Sequence, residues 1–93
     1  MATLTNVFSK HANVTGTIYS GATNLGGYQI KPGGTAGPIQ LIDGGANGSV
    51  LMEIDLTINT AIISTLLPGN GIRFNTDIYA VLPSNAAMTI FCG

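Results

Sequence analysis

The chain has 93 residues, 8% of them charged where an ordinary soluble domain has about a quarter, and a formal net charge of −1. That length supports one domain with one modest core. Lys10, Lys31 and Arg73 lie far apart, which excludes the basic cluster that nucleic acid requires; with one cysteine, Cys92, and one histidine, His11, neither a disulfide framework nor a metal site can be assembled, and no cofactor is expected.

So little charge has two physical origins: a membrane span, or a surface covered by neighbours. A spanning helix is not expected, because an uncharged run such as 56–71 is interrupted by Asn59, Thr60, Ser64, Thr65, Pro68 and Gly69. The opening MATLTNVFSKHANVTG has neither the basic start nor the apolar run of a signal peptide, so the chain is expected to be made and assembled in a cytoplasm. An uncharged surface near neutrality associates readily, which makes assembly with neighbours the expectation.

Turn-forming Gly, Asn, Ser and Thr recur at short intervals, and the apolar runs between them are rich in Ile, Val, Leu, Thr, Tyr and Phe. No helical periodicity survives a Gly or Pro break. The pattern predicts an all-β fold, a small antiparallel β-sandwich or jelly-roll-like barrel of about seven to nine short strands. In chain order the predicted strands are Thr3–Phe8, Thr15–Ser20, Gly27–Lys31, Pro38–Asp43, Ser49–Leu56, Thr60–Leu67, Gly71–Asn75, Asp77–Leu82 and Ala87–Cys92. All belong to one domain over 1–93, with residues 1–13 a candidate N-terminal arm.

The segment 21–37, GATNLGGYQIKPGGTAG, has the backbone freedom of a long loop flanking one short strand. Asp43–Gly48 is the turn of a hairpin whose second arm places Val50, Met52, Ile54 and Leu56 on a core face and Leu51, Glu53 and Asp55 outside. Leu67-Pro68-Gly69-Asn70 has proline and glycine where a type II turn requires them.

That turn delivers the chain to the only arginine. A two-residue loop at Asn75-Thr76 would leave neither face apolar, whereas a three-residue loop, Asn75-Thr76-Asp77, pairs Phe74 with Ile78, Arg73 with Tyr79 and Ile72 with Ala80. Ile72, Phe74, Ile78, Ala80 and Leu82 then face the core, and Arg73, Tyr79 and Val81 share the outside, with Glu53 and Asp55 as charge partners if the strands are neighbours. Arg73 is then either a solvated strand residue or, stacked on Tyr79 beside Val81, an interface anchor.

The same alternation sends Ile42 and Leu51 outward and makes TAIISTLL apolar on both faces, Ile62 and Leu66 against Ile63 and Leu67. Such a strand is central to a closed structure or covered by a partner. In AAMTIFCG, Phe91 opposes the Met88, Ile90, Cys92 face. The candidate subunit-interface residues are therefore Arg73, Tyr79, Val81, Ile42, Leu51 and Phe91.

The stretches GPIQLIDGGANGSVLMEIDL and LPGNGIRFNTDIYAVLPSNAAMTIFCG resemble small virion structural proteins of tailed bacteriophages, in the glycine-Ile-Arg-Phe strand, the following Ile-Tyr-containing strand and a last strand ending in an aromatic, a further residue and Gly. Asp77 stands where a glycine is common in that group, and Cys92 where a tyrosine is common. The resemblance implies a β-sandwich that multimerises, often as a trimer, as a capsid decoration or cement protein on the major capsid protein, or on a tail component, located in the virion.

Chemistry is sparse. No nucleophile has a visible base, so no enzymatic activity is expected. Asp43 and Asn47 in DGGANG lack the bidentate carboxylate of a calcium loop and read better as a turn. The alternative to a structural role is a receptor- or carbohydrate-binding module of a tail fibre, for which Tyr19, Tyr28 and Tyr79 are the available stacking residues.

Overall fold

Short β-branched and aromatic stretches between turn formers become nine antiparallel strands in the computed structural model, which describes residues 7–57, 61–69 and 71–93. They are β1 (Phe8–Ala12), β2 (Gly16–Ser20), β3 (Thr23–Lys31), β4 (Gly37–Asp43), β5 (Ser49–Leu56), β6 (Ile63–Leu66), β7 (Ile72–Phe74), β8 (Asp77–Val81) and β9 (Ala87–Cys92). The first sheet runs β1-β9-β3-β6, and β7 also pairs with β3; the second runs β2-β8-β4-β5. The two stack as the expected small β-sandwich, without a helix among the described residues.

Alternation supplies the core. Leu25, Ile30, Phe74, Met88, Ile90 and Cys92 from the first sheet meet Ile39, Leu41, Ile78 and Ala80 from the second, all fully buried. Burying each of the larger side chains stabilises the fold by about 1.5–3 kcal/mol before the entropy of ordering is subtracted. On the side where β1 approaches β2, Phe8 packs on Tyr19 with ring centroids 5.2 Å apart, and Lys10 Nζ lies 5.9 Å from the centre of the same ring. Phe8 and Lys10 stand opposite Cys92 and Ile90, on the inward side of an edge strand; an inward charge there discourages a further strand from adding.

Several expectations change, and one lies mostly beyond what the structure describes. The strand predicted at Thr3–Phe8 lies, apart from Val7 and Phe8, outside the described residues. Residues 8–12 of the expected arm belong to the body of the domain, because Phe8 to Ala12 pair with Cys92 to Met88 of β9.

The expected glycine-rich loop holds β3, nine residues at the heart of the first sheet, paired along one edge with β9 and along the other with β6 and β7. Gly27 marks contact rather than freedom. A register shift between Leu25 and Gly27 breaks the apolar spacing, and a Cβ on Gly27 would come within 2.8 Å of the Thr65 carbonyl oxygen, so β6 can approach only a glycine.

The turn before β7 closes one residue later than expected. The Gly71 N–H donates to the Pro68 carbonyl at 3.0 Å, and Gly69, at φ 61°, follows Pro68 in the first central position; Asn70 lies outside the described residues.

Finally, β7 and β8 do not form a hairpin. β7 pairs with β3 in the first sheet, and β8 with β2 and β4 in the second, so 75–76 is a corner between sheets. The expected inward residues Phe74, Ile78 and Ala80 are buried all the same, because the inner faces of both sheets meet in one core. Alternation reports the face, not the neighbour.

Candidate interaction surface

The inter-sheet corner is built by two carboxylates. Asp43, at the end of β4, accepts the N–H of Asn75 at 3.0 Å on Oδ2 and those of Thr76 and Asp77 at 2.8 and 3.4 Å on Oδ1. Asp77, at the start of β8, returns the arrangement by accepting the N–H groups of Gly44 and Gly45 at 2.9 and 3.1 Å. The DGG turn and the NTD corner thus satisfy each other's backbone donors. The Asn75 N–H first, then those of Thr76 and Asp77, with the Arg73 charge adding, hold the Asp43 carboxyl below its ordinary range. That carboxylate is committed to backbone, as the turn reading expected, and among the described residues no three His, Cys, Asp or Glu side chains converge as metal ligands would.

Arg73 belongs to the same corner. It stands opposite Asn24 of β3, donating from Nη1 to Asn24 Oδ1 at 3.2 Å and from Nε to Asn75 Oδ1 at 3.3 Å. Tyr79 is not beside it. Nor are Glu53 and Asp55, which lie on the edge strand of the other sheet, where Glu53 Oε2 accepts the Gln40 amide at 2.9 Å.

The outer face of the second sheet holds most of the remaining candidates. Thr17, Tyr79, Ile42 and Val50 occupy adjacent positions across β2, β8, β4 and β5, and Val81, Gln40 and Glu53 form the next row. Tyr79 and Val81 are half-buried. Ile42 does point outward but is only 4% exposed, flanked in register by Tyr79 and Val50, which leaves little of it for a partner.

The register slips between Leu41 and Ile42, where Leu41 faces Met52 and Ile42 faces Val50, so Leu51 is the extra residue of a β-bulge. Val50, expected on the core face with Met52, is turned out by it. Val50 and Leu51 consequently project side by side, 48% and 38% exposed, near the tip of an edge strand.

The outer face of the first sheet carries a groove. Leu66, Gly27, Phe91 and Ser9 are successive neighbours across β6, β3, β9 and β1, and because Gly27 has no side chain the Leu66 side chain lies over it, its Cδ2 3.1 Å from where a Cβ would stand. The hollow, about 400 Å³, is lined by Val7, Gly26, Leu66, Leu67, Gly69 and Phe91. Leu66 is 81% exposed and Val7 54%. A polar row, Ser64, Gln29, Thr89 and His11, runs beside it, with His11 Nδ1 3.0 Å from Thr89 Oγ1.

Comparison with models of protein families, with curated proteins and with solved structures finds no match.

Of the six candidates, the fold brings Tyr79, Val81 and Ile42 together, sets Leu51 nearby, and places Phe91 and Arg73 on the opposite sheet. Sequence reasoning missed Val7 and Val50 as surface residues; the double apolarity of TAIISTLL did point to Leu66, although β6 proved an edge strand rather than a central one. The tyrosines share no platform. Tyr28 is in the core, Tyr19 packs on Phe8 and Tyr79 lies on the second sheet. Cys92 is buried and free, and burial pushes its thiol up.

Proposed function

We propose that this protein is a non-enzymatic structural component of a tailed-phage virion, which self-associates, as a trimer, and stabilises the particle as a decoration or cement protein on the major capsid protein. The observation that carries the reading is the gathering of exposed apolar side chains at two places, the Val7–Leu66–Phe91 groove and the Val50–Leu51 projection, on a chain that is 8% charged. Surfaces of this kind fit contact with other subunits better than permanent exposure to water. The resemblance of the glycine-Ile-Arg-Phe strand and its successors to small phage virion proteins supplies the particle.

The reading is tested by light scattering on the purified protein and by electron microscopy of particles made with and without it. Expected are a mass several times the 9.5 kDa of the chain, density on the capsid surface, and particles that lose heat resistance when the protein is omitted. A monomer at micromolar concentration that leaves capsids unlabelled would refute it. Density on the tail alone would replace the capsid assignment by a tail one.

A further inference from the structure

We infer that copies of this chain join head to tail, the Val50–Leu51 projection of one entering the groove between Leu66 and Phe91 of the next. This rests on the reading that the chain self-associates, and it adds which surfaces meet and with what symmetry.

The two features are complementary in shape. The groove is concave, floored by Gly26 and walled by Leu66 and Leu67 on one side and Phe91 and Val7 on the other. The projection is convex, two consecutive branched side chains pushed out by a bulge at the edge of the second sheet. A hollow of about 400 Å³ suits a pair of aliphatic side chains.

They also match in charge. None of the six residues lining the groove is charged, and none of Ser49–Met52 is. Entry therefore strands no ion in an apolar contact, and a net charge of −1 per copy leaves little repulsion between copies.

Their placement on different sheets favours a heterologous contact. A groove that meets a projection from another part of the molecule, without the same pair meeting again across a two-fold axis, closes into a ring when the rotation allows. A standard interface takes about 800 Å² from each partner, roughly a sixth of the 5010 Å² surface of this chain, so two such contacts per copy still leave most of the surface for a further partner.

The test uses Leu66→Asp to close the groove and Val50→Asp to spoil the projection, both at exposed positions, with circular dichroism melts to establish folding. If either fails to fold, Leu66→Ser and Val50→Thr replace them. Sedimentation at micromolar concentration should find the wild type as a multiple of 9.5 kDa, each variant as a monomer, and their equimolar mixture as a dimer that grows no further, because it retains one intact groove facing one intact projection.

A wild-type oligomer that survives Val50→Asp but not Leu66→Asp would show groove meeting groove, overturning the inference while sparing self-association. A mixture that stays monomeric overturns it equally. A monomeric wild type removes the underlying reading as well.

Discussion

Replacing Gly71 by alanine probes the closest backbone approach in the fold. Gly71 sits at φ 74°, and a Cβ there would lie 1.8 Å from the Leu25 carbonyl oxygen, 2.7 Å from its carbon and 3.2 Å from Gly26 Cα. All three atoms are backbone of β3, so no flexible side chain can give way. The start of β7 would have to retreat by more than about 1 Å, where Ile72 begins to pair with Leu25 and from where Phe74 is held in the core.

A left-handed backbone alone costs a non-glycine residue about 1–2 kcal/mol. Loss of the β3–β7 pairing and loosening of Phe74 raise the total to about 3–5 kcal/mol. Gly69 is the internal control: it shares the turn and a φ of 61°, but a Cβ there meets nothing within 4 Å. Gly69→Ala should therefore cost only about 1 kcal/mol, a fall in Tm of roughly 4–8 °C for a domain this size. Gly71→Ala should lower it by roughly 15 °C or more, or prevent folding.

Urea titrations and thermal melts of the two variants at equal protein concentration measure the difference, since association itself shifts Tm. If Gly71→Ala unfolds within about 1 kcal/mol of Gly69→Ala, the argument that β7 is locked against β3 is refuted.

Phe74→Ala removes the largest fully buried side chain and should cost about 3–5 kcal/mol in urea titration. Asp43 has a folded-state pKa lowered from 3.8, so the stability it contributes is complete above about pH 5 and drains as the pH falls through and below its ordinary value; Asp43→Asn should be less stable at pH 7, and the gap to wild type should narrow towards pH 3, whereas a constant gap would refute the role of its charge. Burial raises the Cys92 pKa, so a thiol reagent at neutral pH should label the folded protein far more slowly than the urea-unfolded chain, and equal rates would place Cys92 at the surface. Arg73→Ala removes two side-chain hydrogen bonds at an exposed site outside the groove; it should cost about 1 kcal/mol or less in a melt and leave the sedimenting mass unchanged.

Alternation along each strand determined the faces: Phe74, Ile78, Ala80, Met88, Ile90 and Cys92 are inward as their spacing requires, because a strand's side chains alternate whatever lies beside it. Composition likewise determined the all-β class and the hairpin around Asp43–Gly48. Only tertiary structure decided the neighbours. β7 pairs with β3 rather than β8, and a carboxylate 32 residues upstream of Asn75 caps the resulting corner between the sheets; nothing local to the NTD corner reports a distant acceptor. The bulge at Leu51 reversed Val50 because one extra residue shifts the parity of everything beyond it, and β3 hid in a glycine-rich stretch where Gly27 is required by the Thr65 carbonyl pressed against it. The candidate groove is the sum of such decisions, since Val7, Gly27, Leu66 and Phe91 become one surface only when four strands are laid side by side.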